Sequence, residues 1–178
     1  PRQIMNTSKT IKTNSAKAWL LAARPKTLTG AAVPVLLGAM SAYFKAANEI
    51  RPLPIVFCFL FAFVMQIDAN FVNDYFDFRK GNDNEKRLGP KRACAQGWIT
   101  PAKMKCALYL TTLLACLIGL PLIFFGGWIT ILVGLICVVF CFLYTTHLSY
   151  KGMGDLLVLV FFGLVPVYGT YLLALPHP

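Results

Sequence analysis

QIDANFVNDYFDFRKGNDNEKRLGPKRACAQG, residues 66–97, holds five of the chain's seven acidic residues: Asp68, Asp74, Asp77, Asp83 and Glu85. The stretch starts inside an apolar segment of membrane-crossing length and ends in a basic one. Carboxylates and amides are costly at membrane depth, so a group of them there points to function and governs how the flanking segments are read.

Those flanks read as membrane. The 178 residues are 57% hydrophobic and 13% charged, with a mean hydropathy of +0.63. Several windows of about 20 residues carry no charge, which excludes a soluble domain with one core under a charged surface. An all-α, polytopic transmembrane bundle of about five spans is expected, at approximately 15–44, 53–77, 104–125, 128–147 and 155–175. A polar arm, 1–14, precedes a domain over 15–178, and the acidic motif continues into a loop at 78–103. Arg24-Pro25-Lys26 interrupts the first span. Either one long, tilted or kinked helix starts near Ser15, the preferred reading, or Pro25 opens a second helix behind a separate interfacial one. Residues 107–146 lack charge over 40 positions, twice one crossing, and Gly126-Gly127 marks the turn of a helical hairpin. Pro166 predicts a kink in the last span.

The net charge of +10 follows the same plan. Of 17 Lys and Arg, six lie up to Lys26, two in the linker 45–52, eight between Arg79 and Lys105, none at Gly126-Gly127 and one at Lys151. This alternation places the N-terminus, the motif loop and the Lys151 loop in the cytoplasm, and it accounts for the basicity without nucleic acid as a partner. The six cysteines form no CxxC pair and only two histidines are present, so they are read as small hydrophobes rather than a zinc or disulfide framework. Residues 1–16 lack the apolar run of a signal peptide.

At 100° per residue, Gln66, Asn70, Asn73 and Asp77 fall on one narrow helical face, with Asp74 adjacent and Asp68 roughly opposite. Gln66, Asn70 and Asn73 are therefore expected to line a cavity. Gly81 can turn the chain so that Asp83 returns toward Asp77. Oxygen-only ligands, Asn73, Asp77 and Asp83 with Asp74 beside them, suit a hard cation, and Mg²⁺ in particular joins carboxylates to substrate phosphates. Arg79, Lys80, Lys86, Arg87, Lys91 and Arg92 stand next to them, which completes the chemistry of a diphosphate site. The plainer reading makes these cations anchors to anionic lipid.

The runs Asn73-Asp74-Tyr75-Phe76-Asp77 and Lys80-Gly81-Asn82-Asp83 resemble the first aspartate-rich motif of the UbiA superfamily of intramembrane aromatic prenyltransferases. Arg87-Leu88-Gly89-Pro90, Arg92, Gly97-Trp98-Ile99-Thr100, Arg24-Pro25-Lys26-Thr27 and Lys151-Gly152-Met153-Gly154-Asp155 resemble the branch that prenylates 1,4-dihydroxy-2-naphthoate in menaquinone synthesis. The resemblance implies nine helices around a lipid-open cavity, with two aspartate-rich motifs holding Mg²⁺ on a polyprenyl diphosphate. It further implies Asp74, Asp77 and Asp83 as metal ligands, Asn73, Asp77 and Lys80 as catalytic residues, and Lys80, Arg87 and Arg92 as diphosphate contacts. About five spans and one motif stand here, so the sequence looks like the N-terminal part of such an enzyme, inactive alone. The implied setting is a bacterial cytoplasmic membrane. Rival readings are a related enzyme using 4-hydroxybenzoate, or a transporter whose pore is lined by the polar stripe.

Overall fold

Proline opens two of the longest helices, where its missing N–H has no intrahelical partner to lose. The computed structural model describes residues 11–46, 49–81, 91–144 and 154–176. Helix α1 (Ala16–Ala23) starts at Ser15, whose Oγ accepts from the Ala18 N–H at 3.3 Å. It stops at Arg24, which is left-handed with φ 52°, and a 3₁₀ turn (Pro25–Thr27) leads into α2 (Leu28–Lys45). Two helices thus replace the preferred single long helix from Ser15. The residue before a proline is pushed out of the α region, and Arg24 ends α1 on that account.

Helix α3 (Pro52–Lys80) runs three residues past the expected end at 77 and is capped by left-handed Gly81, φ 69°. Helix α4 (Pro101–Gly119) passes through a 3₁₀ turn into α5 (Ile123–Gly126). Gly127, φ 64°, then makes the hairpin turn into α6 (Trp128–Leu143), at the position expected. The final segment consists of α7 (Gly154–Val158), a π-helical turn (Leu159–Leu164) and α8 (Val165–Ala174). Pro166 removes one backbone donor and presses on the carbonyl of residue 162, and the widened turn just before it absorbs the distortion. Among the described residues, four helical stretches are long and apolar enough to cross a membrane: Ala16–Lys45, Pro52–Lys80, Pro101–Gly126 and Leu156–Ala174. Trp128–Leu143 is apolar but shorter, so four full-length spans and one short one stand where about five were expected.

Helix α3 is the axis of the bundle, with α4 on one side and α2 and α8 on the other. On the α4 side, buried Asp68 accepts from Thr111 Oγ1 at 2.5 Å and Thr112 Oγ1 at 2.9 Å. On the other side α2 meets α8 at Gly38, where a Cβ would stand 2.3 Å from the Val167 carbonyl oxygen and 2.9 Å from Thr170 Cβ. Both neighbours belong to backbone or a branched stem and cannot swing away. Gly38→Ala is therefore expected to destabilise the bundle by about 1–3 kcal/mol, the usual cost of overpacking. Unfolding in lipid nanodiscs checks this, and a wild-type midpoint would mean the two helices separate freely.

The packed interior has two parts. One, toward the motif, joins Ala18 and Ala22 of α1, Phe71, Val72 and Tyr75 of α3, Ala93, Cys94 and Ile99 of the loop, and Met104 and Leu108 of α4. The other, at the opposite end, gathers Val35, Cys58, Leu122 and Leu173.

Candidate active site

The polar residues of α3 divide among three tasks. Asp68 joins α3 to α4, which turns the opposite face toward α2 and α8. Asn70 donates from Nδ2 to the Ala23 carbonyl oxygen and to Thr27 Oγ1, both at 3.0 Å. It thereby satisfies a carbonyl freed at the C-terminus of α1 and fixes the α1–α2 break. Asp74, one turn on, is fully buried and accepts from the Ala93 N–H at 2.7 Å and the Cys94 N–H at 2.8 Å, one on each oxygen. Arg24 Nη2 lies 4.0 Å from the same carboxylate.

Asp74 was expected to ligate metal. In the structure both of its oxygens hold backbone donors of the loop, beneath the protein surface. The loop is held from its other side as well. Asn14 N–H donates to the Trp98 carbonyl oxygen at 2.8 Å, Thr13 Oγ1 donates to Gly97 O at 3.1 Å, and Thr100 N–H donates to Asn14 Oδ1 at 3.2 Å. Residues 91–100 are thus no freely solvated basic loop, since Arg92, Ala93, Cys94 and Ile99 are all buried.

Asp77, one turn beyond Asn73, forms an ion pair with Arg92, which is only 5% exposed. Lys80, exposed at the end of α3, extends the same helical face. The motif end therefore brings together Asn73, Asp77, Lys80 and Arg92 from two chain segments. Asp83 and Arg87 lie outside the described residues. Among the described residues no three His, Cys, Asp or Glu side chains cluster as a metal site. The oxygen donors of Asn73 and Asp77, with Asp83 six positions on, nonetheless fit a hard divalent cation in type, which keeps several waters and needs few protein ligands. None of the six cysteines forms a disulfide; Cys58 and Cys141 are buried as expected, Cys94 is buried in the loop, and Cys106 and Cys116 are exposed.

Away from this polar end runs a groove of about 930 Å³. Its wall on α3 is a single stripe: Cys58, Phe61, Ala62, Met65, Gln66, Ala69, Asn70 and Asn73. Spacings of three and four residues keep the stripe on one face. At 1.5 Å per residue it is about 22 Å long. The expected cavity positions of Gln66, Asn70 and Asn73 hold, and they occupy only its motif-side half. Most of the rest is apolar, with Val35, Leu122, Phe125 and Leu173 at the far end, although Thr130, Tyr144 and Thr170 also line the groove.

Arg24 is the member of this region least visible beforehand, having been read as part of the interruption of the first span and of the Arg24-Pro25-Lys26-Thr27 resemblance. Its side chain is 14% exposed and turned inward to Asp74. The available signal was its place before Pro25 inside an otherwise apolar run.

The all-helical membrane bundle thus carries a groove graded on α3 from amides to apolar side chains, with the Asp77–Arg92 ion pair one turn beyond Asn73. A solved chain, a digeranylgeranylglyceryl phosphate synthase, shares the fold at a TM-score of 0.68 and 22% identity, over 86% of this chain and 51% of that one. The chain belongs to the UbiA prenyltransferase family, whose model matches residues 31–176, and it is an integral membrane protein. It is 35% identical to a 1,4-dihydroxy-2-naphthoate octaprenyltransferase of Haemophilus influenzae, over 93% of this chain and 57% of the relative. To the protein of the same description in Escherichia coli it is 36% identical, over 88% and 53%. A human UbiA prenyltransferase domain-containing protein 1 is 31% identical, over 86% and 46%. The chain spans about half the length of the curated relatives it matches. A divalent metal is typical of the family.

Proposed function

We propose that the groove binds a polyprenyl diphosphate, head at the motif end and tail along α3, for transfer to 1,4-dihydroxy-2-naphthoate. The supporting observation is the graded stripe on α3: amides at one end, apolar side chains for the remaining length, with Asp77 on the same helix one turn beyond Asn73. In the reaction the allylic C1–O bond to diphosphate breaks, C1 bonds to the electron-rich ring, and the ring carboxylate leaves as CO₂, giving the hydroquinone demethylmenaquinol and free diphosphate. Asn73, Asp77 and Asp83 would hold Mg²⁺, which when bound neutralises charge on the leaving diphosphate. Lys80, Arg92 and Arg87 add fixed positive charge there, the electrostatic contribution that dominates such catalysis. The apolar wall shields the allylic cation from water. The Lys and Arg distribution puts the N-terminus and the motif loop on the cytoplasmic side of a bacterial inner membrane.

The test uses membranes carrying the protein expressed from its complete reading frame. Octaprenyl diphosphate with the naphthoate acceptor is expected to give prenylated product, with at least about a 100-fold loss when divalent metal is chelated. Product from 4-hydroxybenzoate instead would reassign the acceptor. No product from either, with ion flux across liposomes, would overturn the enzyme reading.

A further inference from the structure

The segment that carries Arg92 is folded on itself and gripped at both ends. The Gln96 N–H donates to the Arg92 carbonyl oxygen at 3.0 Å, the Gly97 N–H to Cys94 O at 3.1 Å, and the Trp98 and Ile99 N–H groups both to Ala93 O, at 2.8 and 3.3 Å. Residues 92–99 therefore hold together as one small unit. Asp74 grips this unit beside Arg92, through the Ala93 and Cys94 N–H groups. The second grip, at Gly97, Trp98 and Thr100, comes from the N-terminal arm. Asn14 makes two of its three hydrogen bonds, donating its N–H to Trp98 O and accepting the Thr100 N–H on Oδ1. It does so with φ 57°, a left-handed conformation that asparagine adopts more readily than most residues. Ile11, three residues earlier, packs against the apolar cluster beneath the loop.

We infer that Asn14 is a positioning residue for the diphosphate end of the groove, acting through this folded loop on Arg92. The inference rests on the prenyl diphosphate reading and extends it to a segment that lines no part of the groove. A unit gripped at one end pivots about that grip; a second grip fixes its orientation. Arg92 stands at the pivot and reaches Asp77 across its whole side chain, so a tilt of the loop backbone moves the guanidinium. Displacements of about 1 Å in a positioning group are felt in binding and rate. Ile99, fully buried, keeps the loop on the protein when the arm lets go. Loss of the arm's grip therefore loosens the loop without unfolding the bundle, and its effect is that of one hydrogen bond, roughly 3- to 10-fold in diphosphate affinity.

Two substitutions isolate the side chain. Asn14→Gly keeps the left-handed backbone and removes only the acceptor, whereas Asn14→Asp keeps an oxygen for the Thr100 N–H. Kinetics are measured in membranes carrying the protein from its complete reading frame, with octaprenyl diphosphate and the naphthoate acceptor, and with inorganic pyrophosphate as a competing head group without a tail. Asn14→Gly is expected to raise the KM for the donor and the inhibition constant of pyrophosphate together by about 3- to 10-fold, with the KM for the acceptor unchanged and kcat falling less than the donor KM rises. Asn14→Asp is expected to restore both. In an Arg92→Lys background, Asn14→Gly is expected to shift the donor KM less than about twofold, because the arm acts through Arg92. A fully additive effect there, or a loss of kcat alone with KM and pyrophosphate inhibition unchanged, would overturn the inference and leave prenyl transfer standing. No prenylated product from the wild-type protein would remove the prenyl reading and this inference with it.

Discussion

Asp74→Ala is expected to destabilise the protein by about 3–5 kcal/mol and to free the segment 91–100 for rapid amide exchange. The carboxylate serves two buried backbone donors, and hydrogen bonds to a charged group contribute roughly 1.5–3 kcal/mol each. Its loss also leaves Arg24 without the negative charge 4.0 Å away, and breaking a buried pair is costly because the remaining charge stays in place. Asp68→Ala provides the contrast. Thr111 and Thr112 then still donate to carbonyl oxygens of their own helix, Ala107 O at 3.1 Å and Leu108 O at 2.8 Å, so the cost is nearer ~1 kcal/mol, as for other hydrogen bonds between membrane helices. The donors on Asp74 are backbone N–H groups of Ala93 and Cys94, which no side-chain rotation can redirect. Unfolding in nanodiscs, with exchange followed at 93 and 94, ranks the two variants; equal losses would mean Asp74 is not the holder of the loop.

Asp77→Asn separates chemistry from fold. The amide keeps the shape of the carboxylate and an oxygen for Arg92, so the protein is expected to unfold close to the wild-type midpoint. Metal-dependent prenyl transfer is expected to fall at least about 100-fold, because the charge that holds the cation on the diphosphate is gone. Asp83→Ala should match it. Undiminished turnover in either would remove that residue from the metal set, and a large stability loss in Asp77→Asn would reassign the residue to holding Arg92.

These two neighbouring carboxylates show where sequence reasoning stops. The spans, the hairpin turn at Gly126-Gly127 and the amide stripe were legible because they depend on residue types at fixed helical spacing. Asp74 and Asp77 are both Asp, three positions apart, and nothing in the local pattern tells which of them accepts the backbone donors of the loop. What separates them is a pair of backbone N–H groups at 93 and 94, and backbone donors have no identity in a sequence. Asp68 pointed away from the stripe, as expected from the wheel, yet its partners Thr111 and Thr112 sat unremarked in a span read only for its apolarity. The break at Arg24 lay within reach, since Pro25 announced it. Preference for an unbroken apolar run outweighed the proline, whereas Asn70 and Asp74 from another helix stabilise the interruption.

The contacts between Thr13 or Asn14 and Gly97 or Thr100 span 84 and 86 positions along the chain. At translation rates of 5–20 residues per second, the arm leaves the ribosome roughly 4–17 s before the residues that receive it. Helices α1 to α3 are made in that interval, and the Asp74 carboxylate waits only for the next 20 residues. The arm is thus fastened after Asp74 has received its loop donors, onto helices α1 to α3 that are already made.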